Sequence, residues 1–202
     1  MRIVEIKMDD ENSTILLIGN PNVGKSVLFN RLTGADAVVS NYPGTTVDYT
    51  KGKVVLDKKN YTVIDVPGAY SLDARDKAEE VCVRMLDENK NAIAVIVLDA
   101  TRIERGLYIA LETIERGFLA VVVLNMIDAA KERKISVDSE KLQRILGVPV
   151  VETSAINGEG IKNLGDIIGK AHSVNIKDIK SRSEGKMPES EIHTGCGGCG
   201  GA

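Results

Sequence analysis

The chain has 202 residues, 43% of them hydrophobic and 27% charged, with a formal net charge of −3. That balance is ordinary for a soluble globular protein, and the length suits one domain of roughly 170 residues plus a tail. It supplies no basic field for a polyanion, and with two Phe and no Trp it offers no stacking platform for bases, so nucleic acid is not an expected partner.

Met1 to Asn12 is charged throughout, so no signal sequence is expected there. The apolar run Ile15 to Ile18 predicts a buried strand over 14–19. It runs into Gly19-Asn-Pro-Asn-Val-Gly-Lys-Ser26, a complete G-x-x-x-x-G-K-[ST] pattern, and then into helical spacing over 25–33. A glycine-rich loop between strand and helix lets successive N–H groups point at phosphate oxygens, with the positive helix end behind them. A nucleoside triphosphate is therefore expected on Gly19, Asn20, Pro21, Asn22, Val23, Gly24, Lys25, Ser26 and Val27. Lys25 would reach the β- and γ-phosphates, and the Ser26 hydroxyl would bind Mg²⁺.

The polar stretch Ala35 to Thr50 reads as a long loop, and such loops in compact domains are usually functional. Either Thr45 or Thr46 can supply a hydroxyl to Mg²⁺ and an amide to the γ-phosphate. Strands over 51–57 and 61–66, with Asp57-Lys-Lys-Asn60 between them, predict an antiparallel hairpin. The second strand ends in Asp65-Val-Pro-Gly68, where Asp65 would hold the Mg²⁺ shell and the Gly68 amide would sense the γ-phosphate. A helix is expected over 76–88; the charged run Asp73 to Glu80 reads as a solvated face, and Cys82 as a core residue.

Strands over 92–98, 119–124 and 148–152 are apolar almost throughout, as in parallel strands buried on both faces, and helices are expected over 104–117, 138–146 and 159–173. Asn125-Met-Ile-Asp128 follows the strand at 119–124. A carboxylate at Asp128 can accept from the N1–H and 2-amino groups of guanine; adenine lacks both donors. Ser154 and Ala155, after the strand at 148–152, could offer a backbone amide to the guanine oxygen. These motifs all fall at strand C-termini, where ligands sit in an open α/β sheet.

The runs Gly19 to Ser26, Asn41-Tyr-Pro-Gly-Thr-Thr-Val-Asp48 and Asp65-Val-Pro-Gly-Ala-Tyr-Ser-Leu72 resemble the GTPase domain of FeoB, the bacterial ferrous-iron transport protein B family. Asn125-Met-Ile-Asp128, with Met126 where most GTPases carry Lys, and Thr153-Ser-Ala-Ile-Asn-Gly-Glu-Gly-Ile161 tighten the match, which runs from about Thr14 to Ala171. The resemblance implies an α/β Ras-like fold: a six-stranded, mostly parallel sheet with one antiparallel strand and helices on both faces. It aligns Thr46, rather than Thr45, with the switch threonine. It also implies GTP and GDP as ligands, a switch role in Fe²⁺ transport, and a membrane permease domain or subunit as partner. Nothing after Ala171 resembles that family's spacer or membrane domain, and no apolar stretch approaches the roughly 18 to 20 residues of a membrane span. A cytoplasmic protein is expected, reaching the inner face of the membrane through a partner, with homo-oligomerisation left open.

Ras-type GTPases orient the attacking water with a Gln at the position held here by Ala69, which cannot. The family resemblance implies that Asn22 and carbonyls of the first switch hold K⁺ against the phosphates instead. Lys25, Thr46, Gly68 and Asn22 are thus the expected catalytic set, giving slow, K⁺-stimulated turnover.

Residues 1–174 are expected as the nucleotide domain and 175–202 as a flexible, glycine-rich tail. The tail holds His193, Cys196 and Cys199, a partial set for Zn²⁺, Fe²⁺ or Cu⁺ that needs a second copy to complete it, or simply exposed thiols. Three cysteines and no signal sequence fit a reducing compartment. Two other readings stand beside the first. One is an Era-like GTPase of ribosome assembly or tRNA modification, through the shared Pro43-Gly-Thr-Thr46; the other is a nucleotide-gated metal-binding adaptor with negligible hydrolysis.

Overall fold

The computed structural model describes residues 13–34, 37–188 and 190. Its elements in chain order begin with β1 (Ser13–Ile18), α1 (Lys25–Thr33), β2 (Val38–Asn41), β3 (Asp48–Leu56), β4 (Lys59–Asp65) and α2 (Lys77–Glu88). They continue with β5 (Ile93–Asp99), α3 (Ile103–Glu115), β6 (Leu119–Asn125), α4 (Ile127–Glu132), α5 (Ser139–Leu146), β7 (Val150–Glu152), α6 (Ile161–Ile168) and α7 (Ile176–Ser183). One seven-stranded sheet runs in the order β2-β3-β4-β1-β5-β6-β7. Strands β4, β1, β5, β6 and β7 are parallel, and β3 runs antiparallel to both of its neighbours.

The central strands β1, β5 and β6 are apolar along their interiors because both faces are covered. In β1, Ile15 and Leu17 enter one core with Leu28 and Phe29 of α1 and Leu164 and Ile168 of α6. Leu16 and Ile18 enter the other, with Cys82 and Leu86 of α2, Ile109 and Ile114 of α3 and Ile179 of α7. The chain leaves β1 toward β4 on one side and takes up β5 on the other. That reversal of direction opens a crevice beyond the C-terminal end of β1.

The sheet has seven strands where six were expected. The extra one, β2, lies inside the stretch read as a loop, where Val38↔Lys51 to Asn41↔Asp48 form an antiparallel ladder. Its β-branched valines pair with a β3 that starts three residues before the expected 51, leaving Tyr42 to Val47 as the turn. The expected hairpin is β3–β4, closed by Asp57 (φ 47°) and Lys58 (φ 66°), the two left-handed residues of a tight hairpin turn. Two helices were not anticipated. In α4, Met126 turns left-handed at φ 63° and starts the helix at once from the end of β6. In α7, past the expected tail boundary, the Asn175 side chain caps the Lys177 amide and Ile179 is buried. The helix expected over 159–173 stops at Ile168, after which His172 bridges to Ala120 at the start of β6. No helix among the described residues is long and apolar enough to cross a membrane.

Candidate nucleotide site

Gly19, at φ 152°, lies so close to β5 that a Cβ would meet the Val97 carbonyl oxygen at 2.3 Å. Gly24, at φ 88°, is the N-cap of α1; a Cβ there would meet Asn125 Nδ2 at 2.3 Å. Both positions therefore demand glycine. The start of α1 has no side-chain cap and no acidic residue in its first turn, so its amides remain donors for an anion. Lys25 is 7% exposed, and its Nζ donates to the carbonyls of Gly19 (3.1 Å) and Asn20 (3.0 Å), with one donor left over. Burial pulls its ammonium below the usual lysine range, against the pull of Asp65. Pro21 is half-buried, Val23 is buried, and Val27 lies in the first turn of α1, 40% exposed.

The end of β4 reaches the same point. Ser26 Oγ donates to Asp65 Oδ2 at 2.7 Å, while Asp65 Oδ1 is buried without a hydrogen-bond partner. Burial raises the Asp65 carboxyl above its ordinary range; the Ser26 hydrogen bond and the Lys25 charge offset part of that rise. A hydroxyl beside an unsatisfied buried carboxylate oxygen is a hard-oxygen donor set that fits Mg²⁺. Gly68 packs over the phosphate loop, where a Cβ would meet Pro21 N at 2.8 Å, and the Ala69 amide donates to Gly19 O at 3.3 Å. The Ala69 methyl itself is buried in the core.

Asn22 is exposed in the left-handed region at φ 63°, and among the described residues its side chain makes no hydrogen bond. It therefore does not fold back on its own backbone. Thr45 is committed to the β2–β3 turn, with Oγ1 donating to Tyr42 O (3.0 Å) and accepting from Val47 N (3.2 Å). Thr46 is exposed beside it with its hydroxyl unengaged. No hydrogen bond among the described residues joins Thr46 to Ser26 or Asp65. Instead the hairpin is anchored elsewhere, by the Tyr42 hydroxyl on Glu88 Oε1 at 2.5 Å.

Asn125 at the end of β6 is 2% exposed and ties three loops together. Its Nδ2 donates to Val23 O (2.9 Å), and its Oδ1 accepts from Thr153 Oγ1 (3.0 Å) and the Ala155 amide (3.0 Å). It thereby joins the phosphate loop to the loop after β7. Met126 packs toward Gly24, and Asp128, half-buried, sits in the first turn of α4. The two amides expected to meet a guanine oxygen already have acceptors: Ser154 N donates to Glu159 O at 3.1 Å and Ala155 N to Asn125 Oδ1. Either amide would have to share its hydrogen.

The loop after Gly68 is held by two carboxylates that sequence reading missed. Glu79 accepts from the Tyr70 amide (3.1 Å) and the Arg75 amide (3.0 Å), and Glu112 accepts from Ser71 Oγ (3.2 Å) and the Leu72 amide (2.8 Å). Glu79 is 5% exposed, the exception in a run whose other charged residues are exposed, as a solvated face requires. The Asp76-x-x-Glu79 spacing, that of a capping box, was the available signal, and Asp76 does cap the Glu79 amide. Beside the loop lies a cavity of about 310 Å³ lined in part by Asn20, Asn22, Tyr70, Arg102, Arg105 and Met126. His193, Cys196 and Cys199 lie outside the described residues; among the described ones no cluster of three or more His, Cys, Asp or Glu is placed to hold a metal.

The family model described as Ferrous iron transport protein B matches residues 13–168. The Fe(2+) transporter FeoB of Leptospira biflexa is 37% identical over 164 residues, which cover 81% of this chain and 24% of the relative. That of Legionella pneumophila (strain Paris) is 40% identical over 153 residues, 74% of this chain and 20% of the relative. The chain therefore spans about a quarter or less of the length of these curated relatives. Among solved structures, the cytosolic domain of the T. maritima FeoB iron transporter in its GMPPNP form superposes with a TM-score of 0.76 at 34% identity, covering 80% of this chain and 66% of that one. The G domain of the same transporter gives a TM-score of 0.73 at 35% identity, covering 78% of this chain and 97% of that one.

Proposed function

Because this chain belongs to the ferrous iron transport protein B family, we propose that it is the guanine-nucleotide-binding part of a ferrous-iron transporter, hydrolysing GTP slowly and switching transport through a membrane-embedded domain or subunit. The observation that carries this reading is the convergence of Lys25, the Ser26–Asp65 pair and the Asn125 junction on one crevice at the C-terminal ends of β1, β4 and β6. In it, the uncapped start of α1 and the free Lys25 donor bind the phosphates, and Asp128 selects guanine. Ser26 and Asp65 would hold Mg²⁺, joined by Thr46 once the β2–β3 hairpin swings in; bound there, Mg²⁺ neutralises charge on the β- and γ-phosphates. The Gly68 amide reads the γ-phosphate, and the loop restrained by Glu79 and Glu112 relays that reading to α2 and α3. The site of action is the cytoplasmic face of the membrane.

Ala69 leaves water orientation without a side chain, and the unengaged amide of Asn22 supports a K⁺ site in its place; K⁺ held there offsets charge developing in the transition state. Single-turnover hydrolysis in K⁺ against Na⁺ at equal ionic strength, on wild type and Asn22→Ala, tests this. The expected result is K⁺ acceleration of at least about tenfold that Asn22→Ala abolishes while GDP affinity is retained. Equal and negligible rates in both salts would make the chain a nucleotide-gated binder that depends on an activating partner.

A further inference from the structure

Arg31 projects from the second turn of α1 and was not singled out by any motif. Its Nε donates to the carbonyl of Ala155 at 2.9 Å, and its outer guanidinium nitrogen donates to the carbonyl of Ile156. The residues it holds form the segment Thr153 to Gly160, which turns back on itself through the paired Ser154–Glu159 bonds. That segment is otherwise pinned at Thr153 and Ala155 by Asn125, from the buried side. Arg31 fastens it from the outer side, and the planar fork of a guanidinium suits two neighbouring carbonyls as a lysine does not. The same helix begins at Lys25 and Ser26, so Arg31 links the phosphate-binding end of α1 to the base-side loop one and a half turns further along. Thr153, Ser154 and Ala155 are buried, but Ile156 is 66% exposed and Gly158 and Gly160 both have positive φ, so from Ile156 onward the loop has little burial to hold it in place.

We propose that Arg31 is a positioning residue that sets how long a guanine nucleotide stays bound, by clamping the 154–156 backbone against α1. The proposal rests on the nucleotide reading of the site given above and deepens it. When Arg31 holds both carbonyls, the 155–156 backbone cannot lift from the base; when it lets go, the inner end of the loop stays tied by Asn125 and by the Thr153 backbone bonds to Leu124 and Ile127, while its outer side is freed and the base leaves faster. Because the guanidinium is exposed and binds only backbone oxygens, its loss leaves the phosphate loop and the Ser26–Asp65 pair intact. The clamp therefore acts on dissociation and not on the chemical step.

The test is stopped-flow dissociation of fluorescently labelled GDP from the full chain, for wild type, Arg31→Ala and Arg31→Lys, beside single-turnover hydrolysis and thermal midpoints of the same proteins. Arg31→Ala is expected to speed GDP release about tenfold, as loss of two charge-assisted bonds at an exposed site implies. Arg31→Lys, which can keep one carbonyl, should fall between, with hydrolysis of pre-bound GTP changed by less than about twofold in both. Unchanged release in Arg31→Ala overturns the proposal. So does a parallel loss of hydrolysis and thermal midpoint, which would mark Arg31 as a general structural residue. Failure of wild type to bind the labelled GDP would instead remove the nucleotide reading itself, and the clamp with it.

Discussion

Asp65 shows at the level of one residue how the site is built against stability. One carboxylate oxygen is bonded to Ser26, the other is buried without a partner, and burial holds the acid above its ordinary range. A folded-state carboxyl raised in this way binds protons more readily than the unfolded chain does. Its ionisation therefore costs stability, a cost that sets in as pH rises through the window above the ordinary carboxylate range and persists at neutrality. Asp65→Asn removes that ionisation and keeps an oxygen for Ser26. Its ligand-free thermal midpoint is expected to exceed that of wild type at pH 7, with the gap closing as pH falls below the ordinary carboxylate range. Mg²⁺-dependent GTP affinity should drop by roughly 100-fold, at the upper end of what loss of a metal-supporting partner usually costs. A scanning fluorimetry series across pH and a nucleotide titration with and without Mg²⁺ check both halves. A lower midpoint in the variant would mean that the Lys25 attraction outweighs burial.

At the level of elements, the proposed switching assigns the movement to the β2–β3 hairpin. It is attached to the body by the Tyr42 ring, which is 8% exposed and stands edge-on to Tyr49 at 6.5 Å, and by the hydroxyl on Glu88 at the end of α2. That hydrogen bond, more than burial, pushes the phenol above its usual range. Thr46 cannot stay at the exposed tip and also join Ser26 and Asp65, so bringing it in works against the Tyr42 anchor. Tyr42→Phe keeps the ring and deletes the bond, which should cost about 1 kcal/mol and lower the thermal midpoint by about 2–4 °C. Released by the same amount, the hairpin should favour the GTP state over the GDP state by roughly fivefold in relative affinity, measured by competition for one labelled nucleotide. A lower midpoint with an unchanged ratio would show that the hairpin keeps its place in both states. Neither this anchor nor the Glu112 contacts could be read from the chain beforehand. Tyr42 and Glu88 are 46 residues apart and meet only because the sheet brings the hairpin beside α2.

For the whole molecule, what the sequence made legible follows the strength of its local signals. The apolar strands β1, β5 and β6 are buried on both faces and announce themselves, and the motifs at their ends fall where strand C-termini put them. Strand β2 did not announce itself, because a four-residue edge strand with exposed valines has no pattern until β3 pairs with it. The engagement of the Ser154 and Ala155 amides was not legible, since their acceptors come from Glu159 and Asn125. Helix α7 was hidden for a third reason: in Ile-Lys-Asp-Ile-Lys-Ser-Arg-Ser only Ile176 and Ile179 are apolar, so eight residues cannot hold a helix on propensity alone. What holds it is a groove between α5 and α3, into which Ile179 sinks to 5% exposure while Val174 and Ile176 close over the same core. The fold therefore draws on residues past 174 for part of its stability. Ile179→Ala should cost about 2–4 kcal/mol as a buried aliphatic truncation, and lower the thermal midpoint by roughly 5–10 °C. GDP affinity should hold, because α7 packs on helices and not on the loops that bind nucleotide. Truncation after Val174 should reproduce the same loss in a melting curve. An unchanged midpoint in both proteins would place the end of the cooperative unit at α6 and make α7 a passenger on its surface.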